Sequence, residues 1–149
     1  LKHETDVWVE LTTLVIPGEN DSEAEIEEMT QWVVENLGPD VPMHFTAFHP
    51  DYKMLDKPPT PHQSLIDAVR IARHNGVHYA YAGNVHDTHY GSTWCHQCGE
   101  LLIERDWYRL GQWNLTDDGC CTNCGTRCAG VFDGPAGTWG DKRQPIRIS

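Results

Sequence analysis

Two short runs constrain this chain more than anything else in it: Cys95-His96-Gln97-Cys98-Gly99 and Cys121-Thr122-Asn123-Cys124-Gly125. Two residues between thiolates let both sulfurs reach one metal ion while backbone N–H groups point at the first sulfur. The glycine that follows permits the left-handed turn that closes the knuckle. With 22 residues between Cys98 and Cys121, room for a short hairpin, the pattern reads as a zinc-ribbon or rubredoxin-like site with Cys95, Cys98, Cys121 and Cys124 as ligands. All six cysteines fall between positions 95 and 128, whereas disulfide-stapled chains spread theirs, so the clustering points to metal ligation in a reducing compartment. Tetrahedral sulfur suits both zinc and iron, and zinc is preferred as the redox-inert choice. Four protein ligands leave no open position for substrate, so the expected role is structural: metal supplies folding free energy to a module too small for a good core. Cys120 and Cys128 are surplus. Cys121 is chosen over Cys120 because it repeats the C-x-x-C-G spacing, and Cys128 is expected as a buried thiol.

The rest of the chain alternates strand and helix signals. Residues 7–16, VWVELTTLVI, are β-branched and apolar with little alternation, as in a parallel-sheet strand buried on both faces. After Pro17-Gly18 a helix is expected, with Ser22 and Glu25 as a capping box, Ile26, Met29, Val33 and Leu37 on one face, and Gly38-Pro39 as the stop. Met43 to Phe48 reads as a second strand, and 49–60 as a proline-rich loop. Thr60 as N-cap, Pro61 in the first turn and Gln63 as the box partner then open a helix with Leu65, Ile66, Val69 and Ala72 as its stripe, closed by Asn75-Gly76. Val77 to Ala82 is a third strand.

The order β-α-β-α-β with right-handed crossovers predicts three parallel neighbours. The ligand site would lie at their carboxyl ends, in segments 17–21, 49–60 and 83–90. Three strands and two helices cannot close a barrel and would leave apolar edges open, so residues 1–90 read as the later half of a larger α/β domain. The opening without Met, running almost at once into a strand, fits the same expectation of a piece of a longer chain. From Gly91 the texture changes to Trp, Cys and Gly with short strand-like runs such as Leu101 to Glu104, and residues 91–149 read as a second, cysteine-bearing module.

Charge narrows the partners. The 149 residues carry 22 carboxylates against 11 Lys and Arg, a net charge of −11, and between His3 and Tyr52 there is no Lys or Arg at all. That field opposes a polyphosphate backbone and excludes a nucleic-acid coat. The acidic run after Ser22 reads as a solvated helix face that favours the helix N-terminus. No run approaches the ~20 apolar residues of a membrane span, and no signal-peptide blocks open the chain, so a cytoplasmic location is expected. His86 and His89 resemble a metal clip without a third ligand and read as loop. His49, at the end of the second strand, is placed to donate to a ligand or shuttle a proton, with simple loop packing as the equal alternative. Glu10 and Thr12 share one orientation, so both could face a barrel interior; either equally reads as a satisfied core polar group, the preferred reading for Thr12 on spacing alone. No phosphate loop, Ser-His-Asp nucleophile or dinucleotide-binding glycine pattern is present.

The run from Val7 to Asp21, VWVELTTLVIPGEND, resembles the late-barrel strand and loop of radical S-adenosylmethionine enzymes akin to the glycyl-radical activating enzymes. His44-Phe45-Thr46-Ala47-Phe48-His49-Pro50, then Tyr79-Ala80-Tyr81-Ala82-Gly83-Asn84 and the Cys95 knuckle, narrow the resemblance to the carboxyl-terminal part of the AmmeMemoRadiSam system radical SAM enzyme. It extends from Trp8 to Trp139-Gly140 and Gln144-Pro145-Ile146-Arg147. The resemblance implies the C-terminal half of a partial (β/α)6 TIM-like barrel followed by the small zinc-ribbon module. It also implies a [4Fe–4S] cluster and S-adenosylmethionine, cleaved reductively to a 5′-deoxyadenosyl radical that acts on an unspecified substrate.

Carried over residue by residue, it implies Thr12 and Leu14 on the first strand and Thr46 and His49 on the second as adenosine-side contacts, with Glu10 as an alternative on the first. Partners implied are the missing N-terminal half of the barrel and Memo-like and AMMECR-like proteins. The chain departs from the family in lacking the cluster motif C-x-x-x-C-x-x-C; Cys121, Cys124 and Cys128 reverse its spacing. This chain alone is therefore expected not to cleave S-adenosylmethionine. Two readings from other classes are a stand-alone zinc-ribbon module that binds a protein and a rubredoxin-like iron electron carrier.

Overall fold

The computed structural model describes residues 2–132 and Gly134. The closing segments of the resemblance, Trp139-Gly140 and Gln144 to Arg147, lie outside the described residues. Three parallel strands, β1 (Leu11–Val15), β2 (Met43–Ala47) and β3 (Ala80–Gly83), pair in chain order, with Thr12 level with His44 and His44 level with Tyr81. Helices α1 (Glu23–Leu37) and α2 (His62–His74) make the crossovers. A short helix, α3 (Thr88–Gly91), leads into a second, antiparallel sheet of β4 (Thr93–Trp94), β5 (Leu101–Asp106) and β6 (Arg109–Trp113). No helix among the described residues is long and apolar enough to cross a membrane.

The core between the parallel sheet and its helices explains the register. Val15, Met43, Phe45, Ala80 and Ala82, every second residue of their strands, meet Ile26 and Val33 of α1 and Leu65, Ala68, Val69 and Ala72 of α2. Both helices therefore cover the same face, because strand side chains alternate and consecutive right-handed crossovers fall on one side. Thr13 joins that face, its hydroxyl 3.6 Å from Met29 Sδ. The residues between them, Thr12, Leu14, His44, Thr46 and Tyr81, occupy the opposite face.

That corrects the expectation of a first strand over 7–16 buried on both sides. β1 is an edge strand, paired only with β2; Thr12 is exposed, Leu14 retains 44% of its surface, and Val7 and Trp8 precede the ladder with their side chains exposed. The third strand is likewise shorter than expected. His78 donates its backbone N–H to Pro39 O outside the ladder, and pairing is regular only from Ala80.

Caps set the helix ends unequally. Ser22 caps α1 as expected, its Oγ accepting from the Glu25 N–H at 3.3 Å, while the Glu25 carboxylate takes the Ser22 hydroxyl at 2.7 Å in place of the Ser22 N–H of a full capping box. Gly38, at φ +90°, returns its N–H to Val34 O and ends the helix. Thr60, expected to cap α2, does something else. Pro61 occupies the N-cap position without a side-chain bond, while the Thr60 hydroxyl donates to Val15 O and accepts from the Phe48 N–H at 2.8 Å. Two strand ends compete for that hydroxyl and win, since a backbone amide near the core without an acceptor costs more than a frayed first helical turn. Gln63 turns to Asp67 Oδ1 instead of the cap.

Candidate metal centre and the facing cleft

The two C-x-x-C-G runs adopt one shape. In the first, the Gly99 N–H donates to Cys95 O and the Cys95 N–H to Glu100 O; in the second, the Gly125 N–H donates to Cys121 O and the Cys121 N–H to Thr126 O, all at 2.8–2.9 Å. The closing glycines sit at φ +74° and +76°, where a Cβ would be strained. The first knuckle bridges β4 and β5, and the second follows β6, tied back through the Leu115–Cys121 bridge. Hairpin geometry thus brings the knuckles face to face.

The four sulfurs of Cys95, Cys98, Cys121 and Cys124 lie within 4.8 Å of one another. Cys95 Sγ is 3.6 Å from Cys124 Sγ, and Cys98 Sγ is 3.8 Å from Cys121 Sγ. A tetrahedron built on zinc–sulfur bonds of ~2.3 Å has edges of about 3.8 Å, whereas a disulfide needs ~2.05 Å. The cluster fits a single metal ion such as zinc.

The surroundings grade the thiols. Burial, offset in part by the N–H groups of Cys98 and Gln97, pushes the Cys95 thiol up to about 12. The Thr126 hydroxyl and backbone N–H draw Cys124 down to about 6. Asn123 Nδ2 donates to Cys98 Sγ at 3.6 Å. A metal must displace every thiol proton, so binding is coupled to pH through all four.

Cys120 and Cys128 stand apart from this cluster. Cys120 is half-buried beside Asp118, and its N–H is held by the Thr116 hydroxyl. Cys128 is buried against Tyr79, and burial raises its pKa. The histidine clip does not assemble: His86 Nδ1 pairs with Asp106 at 2.8 Å, while His89 packs against Tyr90 and Trp94. Of the contacts implied by the resemblance, Thr12, Leu14 and Thr46 share the face of the parallel sheet away from the helices. The Thr46 hydroxyl donates to Thr13 O, and Gly83 lacks the Cβ that would lie 2.8 Å from the Thr46 methyl. His49 is exposed beyond the end of β2, its Nδ1 donating to Pro50 O at 3.0 Å. These four do not converge on one enclosed site among the described residues.

A second constellation does converge. Tyr79 and Tyr81 carry the cysteine-bearing sheet on the parallel sheet, packing with Leu102, Ile103, Leu115 and Cys128. Tyr79 Oη accepts the Ala129 N–H at 3.0 Å, and His78 stacks on His96 at 4.0 Å. Between the two sheets a cleft of about 1210 Å³ opens, lined among others by Trp8, Glu10, His44, Tyr81, Arg105 and Trp113.

Glu10 accepts the Trp8 indole N–H at 2.7 Å and His44 Nε2 at 2.9 Å. Burial alone would raise the Glu10 pKa; the two hydrogen bonds together with the charges of His44 and Arg105 outweigh it and hold the carboxyl below its ordinary range. His44 stacks on Tyr81 at 5.1 Å and Arg105 lies over the same ring at 5.8 Å. Glu10 was legible in the sequence, whereas His44, Tyr81 and Arg105 were not singled out. The alternation of His44 and Thr46 with Met43 and Phe45 was the signal that could have found the first.

Comparison with known proteins adds one relative. An uncharacterized protein of Methanocaldococcus jannaschii is 38% identical to this chain over 128 residues, which are 85% of this chain and 38% of that protein. The chain thus spans little more than a third of the length of the curated relative it matches. No family model and no solved structure matches it.

Proposed function

We propose that this chain is the carboxyl-terminal part of a larger (β/α) barrel of the radical S-adenosylmethionine type, finished by a zinc-ribbon module whose four-cysteine site is structural. The observation that carries the barrel reading is the one-sided sheet. Three parallel strands have both helices on one face, while the other face and the free edge of β1 expose Leu14, with Trp32 of α1 exposed nearby. An apolar, unpaired parallel edge is what a further βα unit would cover.

The relative's length supports the same reading. Roughly two hundred of its residues lie outside the match, ample room for the ~100 residues that three further units of a six-unit barrel require when eight take ~250. In this reading Thr12, Leu14, Thr46 and His49 face the adenosine side of S-adenosylmethionine, whose reductive cleavage at a [4Fe–4S] cluster supplies the chemistry. The cluster ligands come from the part preceding this chain, and Memo-like and AMMECR-like proteins are candidate partners of the whole.

The reading frame upstream in the same gene region is the direct test. A C-x-x-x-C-x-x-C within about two hundred codons, the length of the relative outside the match, is the expected result; a frame without one sinks the barrel reading and leaves a stand-alone protein-binding module. The chain by itself, reconstituted anaerobically with iron, sulfide and a reductant, is expected to form no 5′-deoxyadenosine. For the metal, one zinc per colourless chain is expected. Stoichiometric iron with strong visible absorption in protein isolated from its native source would replace the structural zinc with a rubredoxin-like electron carrier.

A further inference from the structure

Arg105 has an anomalous position for a chain in which carboxylates outnumber Lys and Arg two to one. It lies half-buried in the cleft between the sheets and forms no ion pair among the described residues. The carboxylates that line the cleft are already engaged. Glu10 holds Trp8 with one oxygen and His44 with the other. Asp87 caps α3 through the Tyr90 N–H with one oxygen and pairs with His62 through the other.

The guanidinium itself is fixed. Nη1 donates to the hydroxyl of Thr93, a buried residue that also shares a hydrogen bond with Tyr81 Oη, and the guanidinium rests over the Tyr81 ring. Among the described residues it makes no other side-chain hydrogen bond, so most of its donor fork is free. A planar, pre-ordered fork of N–H donors is matched to carboxylate geometry.

Nearby, His44 is oriented by Glu10 through Nε2, which donates because an ionised carboxylate only accepts, and Nδ1 has no partner among the described residues. The walls around these groups are aromatic: Trp8, Trp107, Tyr108, Trp113 and Phe132. Apolar aromatic walls with a few fixed polar groups are the usual make-up of a small-molecule site.

We propose that the cleft between the two sheets binds a small aromatic carboxylate, with Arg105 taking the carboxylate, the tryptophans and Phe132 taking the ring, and His44, held by Glu10, hydrogen-bonding a polar group of the ligand. The site uses only side chains of this chain and stands whether or not the barrel reading does.

The test titrates the purified full chain with benzoate, benzamide and acetate, reading tryptophan fluorescence, to which Trp8, Trp107 and Trp113 in the cleft contribute. Benzoate is expected to bind saturably and at least about tenfold more tightly than either benzamide, which lacks the charge, or acetate, which lacks the ring. Arg105→Met should weaken benzoate by about tenfold or more and leave benzamide unchanged, while Arg105→Lys keeps part of the affinity; thermal melting shows whether the variants are folded. The proposal is overturned if benzoate does not saturate the wild-type chain, if it binds no better than benzamide, or if a folded Arg105→Met variant binds it undiminished. The wild-type ligand comparison decides even if the variant fails to fold.

Discussion

At the scale of the residue, the chemistry of the cluster rests on four of the six thiols. Cys98→Ser should lose the metal, because serine is a poor ligand for a soft tetrahedral site, and unfold the antiparallel sheet while leaving the α1 and α2 helical signal largely intact. Cys120→Ser, whose thiol faces Asp118, should keep one metal per chain. Metal analysis together with circular dichroism reads both variants, and stoichiometric metal in Cys98→Ser would remove it from the ligand set. C-x-x-C-G spacing alone named the four cysteines that the structure brings together, since ligand reach within a knuckle is a local property of five residues. Glu10 carries a pH dependence of its own, apart from that of the thiols. Its pKa in the folded chain lies below the ordinary 4.5, so its contribution to stability is full above that value and is lost as pH falls through the lowered one. Urea melts of wild type and Glu10→Gln should therefore differ at pH 6 and converge toward pH 3; a constant difference would count against the carboxylate's role.

Among the elements, the informative contrast is between two threonine or serine hydroxyls at helix starts. Ser22→Ala removes a working cap and should cost about 1 kcal/mol. Thr60→Val should cost more, about 1–3 kcal/mol, because it leaves the Phe48 N–H and Val15 O at the ends of two strands without a partner. Chemical denaturation of the two variants ranks them, and the reverse order would restore Thr60 as an ordinary cap. The helices, their apolar stripes and the chain order of the strands were legible, because 3.6-residue periodicity and cap spacing are encoded over ten or fifteen neighbours. The edge position of β1 was not, since VWVELTTLVI is equally apolar whether one face or two are covered. The fate of the Thr60 hydroxyl was hidden for a similar reason: its competing acceptor is Val15, 45 positions away.

For the whole molecule, the two sheets are joined by few but specific contacts, chiefly Tyr79 and Tyr81 against the cysteine-bearing sheet. Metal removal with a strong chelator should therefore raise amide exchange throughout β4, β5 and β6 and spare the core around Phe45 and Leu65, which has its own helices. Equal loss of protection in both sheets would mean that they fold as one unit. Tyr79→Phe should lower the melting temperature with the metal still bound, as the Ala129 N–H loses its acceptor. The sequence by itself determined the cysteine quartet, the alternating strand and helix order and the acidic character of the chain, because each is written in spacing, periodicity or charge along a contiguous stretch. Only the tertiary structure decided that both helices cover one face, that β1 lies at an edge, and that Glu10, His44, Tyr81 and Arg105 meet in one cleft. Those facts depend on which strand pairs with which and on how two sheets dock, and contacts between residues so far apart along the chain leave no local pattern to read.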